Sequence, residues 1–193
     1  MMAKSSFFSL MATLATAAAL SFSCSTTRVL EEGQYRLASN KVEVIGDSKF
    51  NTKKVESYIK QKPNSYIIFG WNPFLNLYNW SGRNPDKAIN RLIRSIGTAP
   101  VVYQPSQVEA SIENINRHLE YLGYYGSDVR SDIEVKGRKV NVTYSITLGK
   151  RFRIGEITYS VPDGEFKEDF LADTSATTVR SGDYLSEDAL EKE

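Results

Sequence analysis

The chain has little of what reactive chemistry or a cross-linked fold requires. It holds one cysteine, Cys24, and one histidine, His118, in 193 residues. A lone thiol forms no internal disulfide, so the fold must hold by packing and hydrogen bonding. One Cys and one His also exclude a soft or imidazole-rich metal site. An excess of charge is missing as well, with 24 Lys and Arg against 23 Asp and Glu. Nucleic-acid binders gather cations against phosphate, and this balance argues against that class. No nucleophile–base pair, phosphate loop or metal-ligand spacing is present. The Asp and Glu residues are scattered on wet faces, where they solvate. The reading is therefore a protein that is not an enzyme and takes no cofactor. Its 41% apolar content is that of a globular chain rather than a disordered one.

What is present begins with an export signal. Lys4 precedes a stretch from Phe7 to Phe22 that is almost wholly apolar or small, about 16 residues. A transmembrane helix needs roughly 20, whereas a positive start, a short apolar stretch and small residues before a junction describe a secretory leader. The only cysteine stands at that junction, after Ser21-Phe22-Ser23. This resembles a bacterial lipobox, with Leu20 one place earlier than usual; the resemblance implies that Cys24 is acylated and becomes the mature N-terminus. Residues 1–23 are then a signal peptide. Without Lys4 the mature chain carries 23 charges of each sign. Two or three acyl chains anchor stably where one is marginal.

Residues 24–40 are polar and read as a lipidated tether. Val42, Val44 and Ile45 form a short strand. A helix follows, with Asn51 as cap and Phe50 stapled onto Val55; Val55, Tyr58 and Ile59 share its inner face, and Lys62-Pro63-Asn64 ends it. Residues 66–80 hold both tryptophans, Trp71 and Trp80, with Phe74 and Tyr78. These aromatics form either a surface for lipid headgroups or a partner, or an insertion (about 64–100) that packs them onto its own domain, which is the commoner outcome. Residues 86–96 form a short amphipathic helix with a solvated basic face. The clearest helix is 107–122, with a Ser106/Glu109 capping box, a stripe of Val108, Ile112, Ile115, Leu119 and Leu122, and Gly123 as its stop. His118 lies beside the stripe as a boundary residue. A hairpin turns at Lys136-Gly137-Arg138: Val129, Ile133 and Val135 share one face, and Val140, Val142, Tyr144, Ile146 and Leu148 alternate with polar residues. A further strand is expected over Phe152–Val161 with a bulge at Gly155-Glu156, then helices at 165–172 and from Ser186. The chain stops inside that last helix, as a fragment of a longer protein would.

The order strand, helix, long helix, hairpin resembles a POTRA domain, the periplasmic module of the BamA/TamA outer-membrane assembly family. The likeness is carried by Leu119-Glu-Tyr-Leu-Gly-Tyr-Tyr125, by the join Gly149-Lys-Arg-Phe-Arg-Ile-Gly-Glu-Ile157, and by Ser181-Gly-Asp-Tyr-Leu185. Cys24-Ser-Thr-Thr-Arg28, Glu32-Gly-x-Tyr-x-Leu37, Lys62-Pro-Asn64, Leu77-Tyr-Asn79 and Ile96-Gly-Thr-Ala-Pro-Val-Val102 are similar to the TamA-like (TamL) assembly lipoproteins of Bacteroidetes. The resemblance implies an α+β fold: a β-α-α-β-β module over residues 41–149, a three-stranded sheet covered by helices, then a truncated second module over 150–193. It also implies a lipid-anchored outer-membrane location with the POTRA-like part in the periplasm. The partners would be unfolded outer-membrane clients or assembly-machinery proteins, and the membrane barrel of the family would be absent here. Such modules bind by β-augmentation, which uses main-chain bonds and makes little sequence demand. The matching edge is the first hairpin strand, with Ser127, Asp128, Arg130, Ser131, Asp132 and Glu134. The same charges could instead blunt the edge against pairing. The alternative is an unrelated surface lipoprotein that binds a ligand through its aromatic segment.

Overall fold

The computed structural model describes residues 26–46, 49–65, 72–172 and 177–192. Cys24, the leader and Trp71 lie outside them. Among the described residues no helix is long and apolar enough to cross a membrane. The chain divides into two compact units. One comprises residues up to Arg36 with Asn64–Val102; the other comprises Leu37–Pro63 with Tyr103–Glu193.

The second unit holds a three-stranded sheet of order β1-β3-β2, with β1 Arg36–Ile45, β2 Asp128–Lys136 and β3 Lys139–Thr147. The strand-rich, helix-covered α+β architecture matches the expectation. β3 is central, and its alternation shows why: Val140, Val142, Tyr144 and Ile146 are all buried, while the residues between them are not. β2 pairs antiparallel with it, Val129 opposite Ile146, Ile133 opposite Val142 and Val135 opposite Val140.

β1 starts ahead of the expected Val42, so residues 36–40 are sheet rather than tether. Leu30 and Leu37 explain the correction, since both are buried and a solvated tether would leave them in water. Fully burying a leucine is worth about 1.5–3 kcal/mol, enough to hold a polar-looking segment down.

Helix α1, Lys53–Glu56, is one turn long. Its expected inner face is realised only in part, with Val55 and Ile59 buried and Tyr58 exposed. Thr52 takes the cap position; Asn51 accepts the Lys53 amide at 3.1 Å instead. Phe50 does not staple Val55 but meets Tyr124 edge-on at 5.5 Å. The helix ends well before Lys62, because the Lys60 N–H donates to Ser111 Oγ at 3.0 Å instead of extending the helical ladder.

In the first unit, helix α2, Pro73–Trp80, is capped by Asn72, whose side chain accepts the Leu75 N–H at 2.8 Å. Helix α3, Ala88–Ile96, ends at Gly97, and a Cβ there would lie 2.7 Å from the Tyr78 nitrogen. The small core is rich in amides. Asn79 donates to the Leu75 carbonyl at 2.8 Å, and Asn64 donates to the Ala99 carbonyl at 2.9 Å while accepting from Val101 N–H at 3.0 Å.

Helix α4, Pro105–Tyr121, covers the sheet. It begins two residues before the expected start. Pro105, which lacks an N–H and has φ already set, opens the first turn, so Ser106 lies inside the helix and the capping box does not form. The buried stripe is Val108, Ser111, Ile115 and Leu119, with Ile112 and Leu122 only partly covered. The helix closes as a Schellman motif: Gly123 N–H bonds Glu120 O and Tyr124 N–H bonds Leu119 O, both at 2.8 Å, with Gly123 at φ +86°.

After β3, the strand expected over 152–161 is limited to a few pairings. Ile154 N–H bonds Asp183 O at 2.8 Å, Gly182 N–H bonds Ile154 O at 2.8 Å and Leu185 N–H bonds Phe152 O at 2.9 Å. A strand extends only where a neighbour supplies bonds, and residues 155–162 are irregular, so no bulge arises at Gly155-Glu156. Helix α5, Glu165–Ala172, follows, then helix α6, Glu187–Leu190, capped by Ser186, whose hydroxyl accepts from Ala189 N–H at 3.2 Å.

Candidate functional site

β2 is an outer strand, and its two faces differ. On one face Asp128, Arg130, Asp132 and Glu134 are exposed. Their charges are largely spent within the strand: Arg130 Nε lies 2.7 Å from Asp128, and Lys136 Nζ lies 2.8 Å from Glu134. The Lys136 ammonium, then the Asn141 amide, hold the Glu134 carboxyl below its ordinary range. Exposed pairs of this kind add little stability.

The other face corrects the expectation of a uniformly covered apolar side. Val129 is buried, but Ile133 and Val135 are 43% and 53% exposed. Both sit opposite buried β3 residues. The far end of the hairpin thus shows an apolar strip beside the strand's outer main-chain groups. Sequence reading missed it, because alternation marks which residues share a face but not how far burial extends along it.

Ser127 and Ser131 do not belong to the charged face. Ser127 precedes β2, and its hydroxyl donates to Tyr124 O at 2.9 Å and accepts from Gly149 N–H at 3.0 Å. Around it Tyr125 and Lys150 exchange both main-chain bonds at 3.0 Å. Ser127 therefore locks the strand entrance. Ser131 is half-buried and falls on the parity of Val129 and Ile133.

β1 carries a second feature. A groove of about 590 Å³ runs beside it, lined by Lys41, Val42, Lys53, Ile59 and Lys62 among others, with Glu56 as its carboxylate.

The candidate aromatic residues separate. Phe74 and Trp80 are exposed, Trp80 by 65%, so the expectation that this segment folds its aromatics inward fails for them. The cause is periodicity: α2 buries Leu75, Asn76 and Asn79, which leaves 74 and 80 outside. Tyr78 is partly covered and has the Arg94 guanidinium 5.4 Å from its ring centre.

His118 stacks on Tyr58 at 3.9 Å and neighbours Tyr121 at 5.8 Å. Burial, with help from Lys54 and against Asp188, lowers its pKa from the ordinary 6.5. Tyr121 donates to Glu191 at 2.7 Å, and that bond pushes the phenol up to about 12. These contacts link α4 to the Tyr58 segment and to α6.

A family model described as "POTRA: Surface antigen variable number repeat" matches residues 38–149, more than half of the chain. No curated protein matches the chain. A solved structure, "Crystal structure of Haemophilus Influenzae BamA POTRA3-5", aligns over 84% of this chain and 85% of that one, at 11% identity and a TM-score of 0.30. With all but the first two residues of its β1-β3-β2 sheet inside the match, this chain belongs to the POTRA family.

Proposed function

We propose that the chain is a periplasmic docking and scaffold module of an outer-membrane protein translocation and assembly factor, and that extended segments of clients or assembly partners add to β2 as a further strand. Membership of the POTRA family supports the scaffold role. The observation that carries the docking edge is the exposure of Ile133 and Val135 on an outer strand whose charges pair among themselves. An edge defended only by charge would repel strands. An edge with an apolar strip beside main-chain donors and acceptors offers the two things an added strand uses, ladder bonds and seats for alternate side chains.

Cys24 is proposed as the acylated N-terminus that holds the module at the outer membrane, and residues 150–193 as the start of a second module. Family membership favours this reading over a ligand-binding lipoprotein unrelated to assembly.

A photoreactive residue placed at Arg130 or Glu134 in cells tests the edge, with Glu113 on the solvent side of α4 as control. Discrete adducts at the β2 positions are expected. Capture of the same diffuse background at all three would remove the reading. Labelling with a palmitate analogue, lost in Cys24→Ala, tests the anchor separately.

A further inference from the structure

Helix α3 is turned the opposite way from an ordinary surface helix. Its polar side faces its own unit: Arg94 donates to Ser81 Oγ at 2.9 Å and to the Gly82 carbonyl at 2.8 Å, and Asn90 donates to the Asn84 carbonyl at 2.7 Å. Its apolar side faces water. Ile89, Leu92 and Ile96, spaced by three and four, are 59%, 58% and 56% exposed, and no residue of the helix is buried. A soluble helix normally shows the reverse arrangement. Single exposed apolar residues need no explanation, but a contiguous stripe marks a contact surface.

Charge indicates what covers the stripe. Arg83, Lys87, Arg91 and Arg94 stand in this stretch against Asp86 alone, and Lys87 and Arg91 are exposed. The exposed Trp80 ends the neighbouring helix of the same unit. An exposed apolar helix face with exposed cations on the remaining helix surface, and tryptophan close in the chain, has the composition of a helix lying in a membrane interface, where the cations meet anionic headgroups.

We propose that α3 is an interfacial helix that lays Ile89, Leu92 and Ile96 into the headgroup region of an anionic phospholipid bilayer, with Lys87 and Arg91 against the lipid phosphates. The inference deepens the proposed outer-membrane placement. Cys24 stands two positions before Thr26, which lies in the same unit as α3, so an acylated Cys24 would hold that unit at the membrane surface.

The test uses residues 24–193 with Cys24→Ser, so that no acyl chain contributes. Co-sedimentation with phosphatidylethanolamine–phosphatidylglycerol vesicles is compared with phosphatidylcholine vesicles. Binding to the anionic vesicles is expected, weakened about tenfold or more in the Ile89→Ser/Leu92→Ser/Ile96→Ser variant. Lys87→Gln/Arg91→Gln should weaken it by about tenfold on anionic vesicles and little on neutral ones. Circular dichroism checks the fold, and the charge variant decides alone if the triple variant misfolds. No binding, or binding indifferent to these changes, overturns the proposal. So does a dimer that the triple variant converts to monomer, which would make a second copy the occupant. Adducts from Arg130 and Glu134 report on the strand edge independently, so failure here leaves that reading standing.

Discussion

Ile133 of β2 lies directly opposite Val142 of β3, yet Val142 is 1% exposed and Ile133 43%. Adjacent strands share a face, but burial of that face ends at the central strand here. The position two pairs further along, Val135 opposite Val140, repeats the contrast. This half-covered hairpin end gives the outer strand a surface for another chain.

Ile133→Ser and Val135→Ser should therefore separate binding from stability. Each is expected to change unfolding free energy by no more than about 1 kcal/mol, as exposed substitutions do. The two together should abolish the discrete adducts captured from Arg130. Urea denaturation beside in-cell crosslinking measures both, and unchanged capture would show that main-chain pairing needs no apolar strip.

Gly123 carries two independent constraints. Its φ of +86° disfavours any side chain, and a Cβ would stand 2.2 Å from the Leu185 carbonyl oxygen. Gly123→Ala should cost about 1–3 kcal/mol, the range of backbone strain at a special conformation, read as a lower urea midpoint. A near-neutral result would mean that the Leu185 segment moves aside freely.

Ser111 is completely buried on α4. Its hydroxyl accepts from Lys60 N–H at 3.0 Å and donates to Gln107 O at 2.6 Å. Ser111→Ala leaves the Lys60 amide unpaired, at a cost of about 1–3 kcal/mol. Hydrogen exchange at that amide should accelerate; protection equal to wild type would show another acceptor taking over.

His118 sets a pH dependence. Its folded pKa lies below the unfolded 6.5, so the unfolded chain takes up protons first as pH falls. The contribution is complete above 6.5 and is lost as pH drops through the folded value. Thermal melts across this window should show stability falling toward acid, and His118→Gln should flatten that segment of the profile.

Asn64 bridges two main-chain groups, the Ala99 carbonyl and the Val101 N–H. Asn64→Ala should destabilise the first unit by about 2 kcal/mol, since both groups lose a buried partner. Faster proteolysis within residues 72–102, without change in the sheet, would be the signature.

Local sequence determined much of this protein. The Leu119–Tyr125 stretch specified its own ending, because only glycine relaxes into the left-handed turn that stops α4. Strict alternation from Val140 to Ile146 specified the central strand, since both its neighbours demand the same buried face. Other features depended on long-range contacts that no local pattern encodes. Ser111 ended α1 by taking the Lys60 amide from another part of the chain. Packing of the shared sheet face left Ile133 and Val135 in water beside buried Val142 and Val140. The anchoring of Arg94 and Asn90 turned α3 so that its apolar stripe faces outward. Amphipathicity names two sides of an element, and only the packed structure decides which one meets solvent.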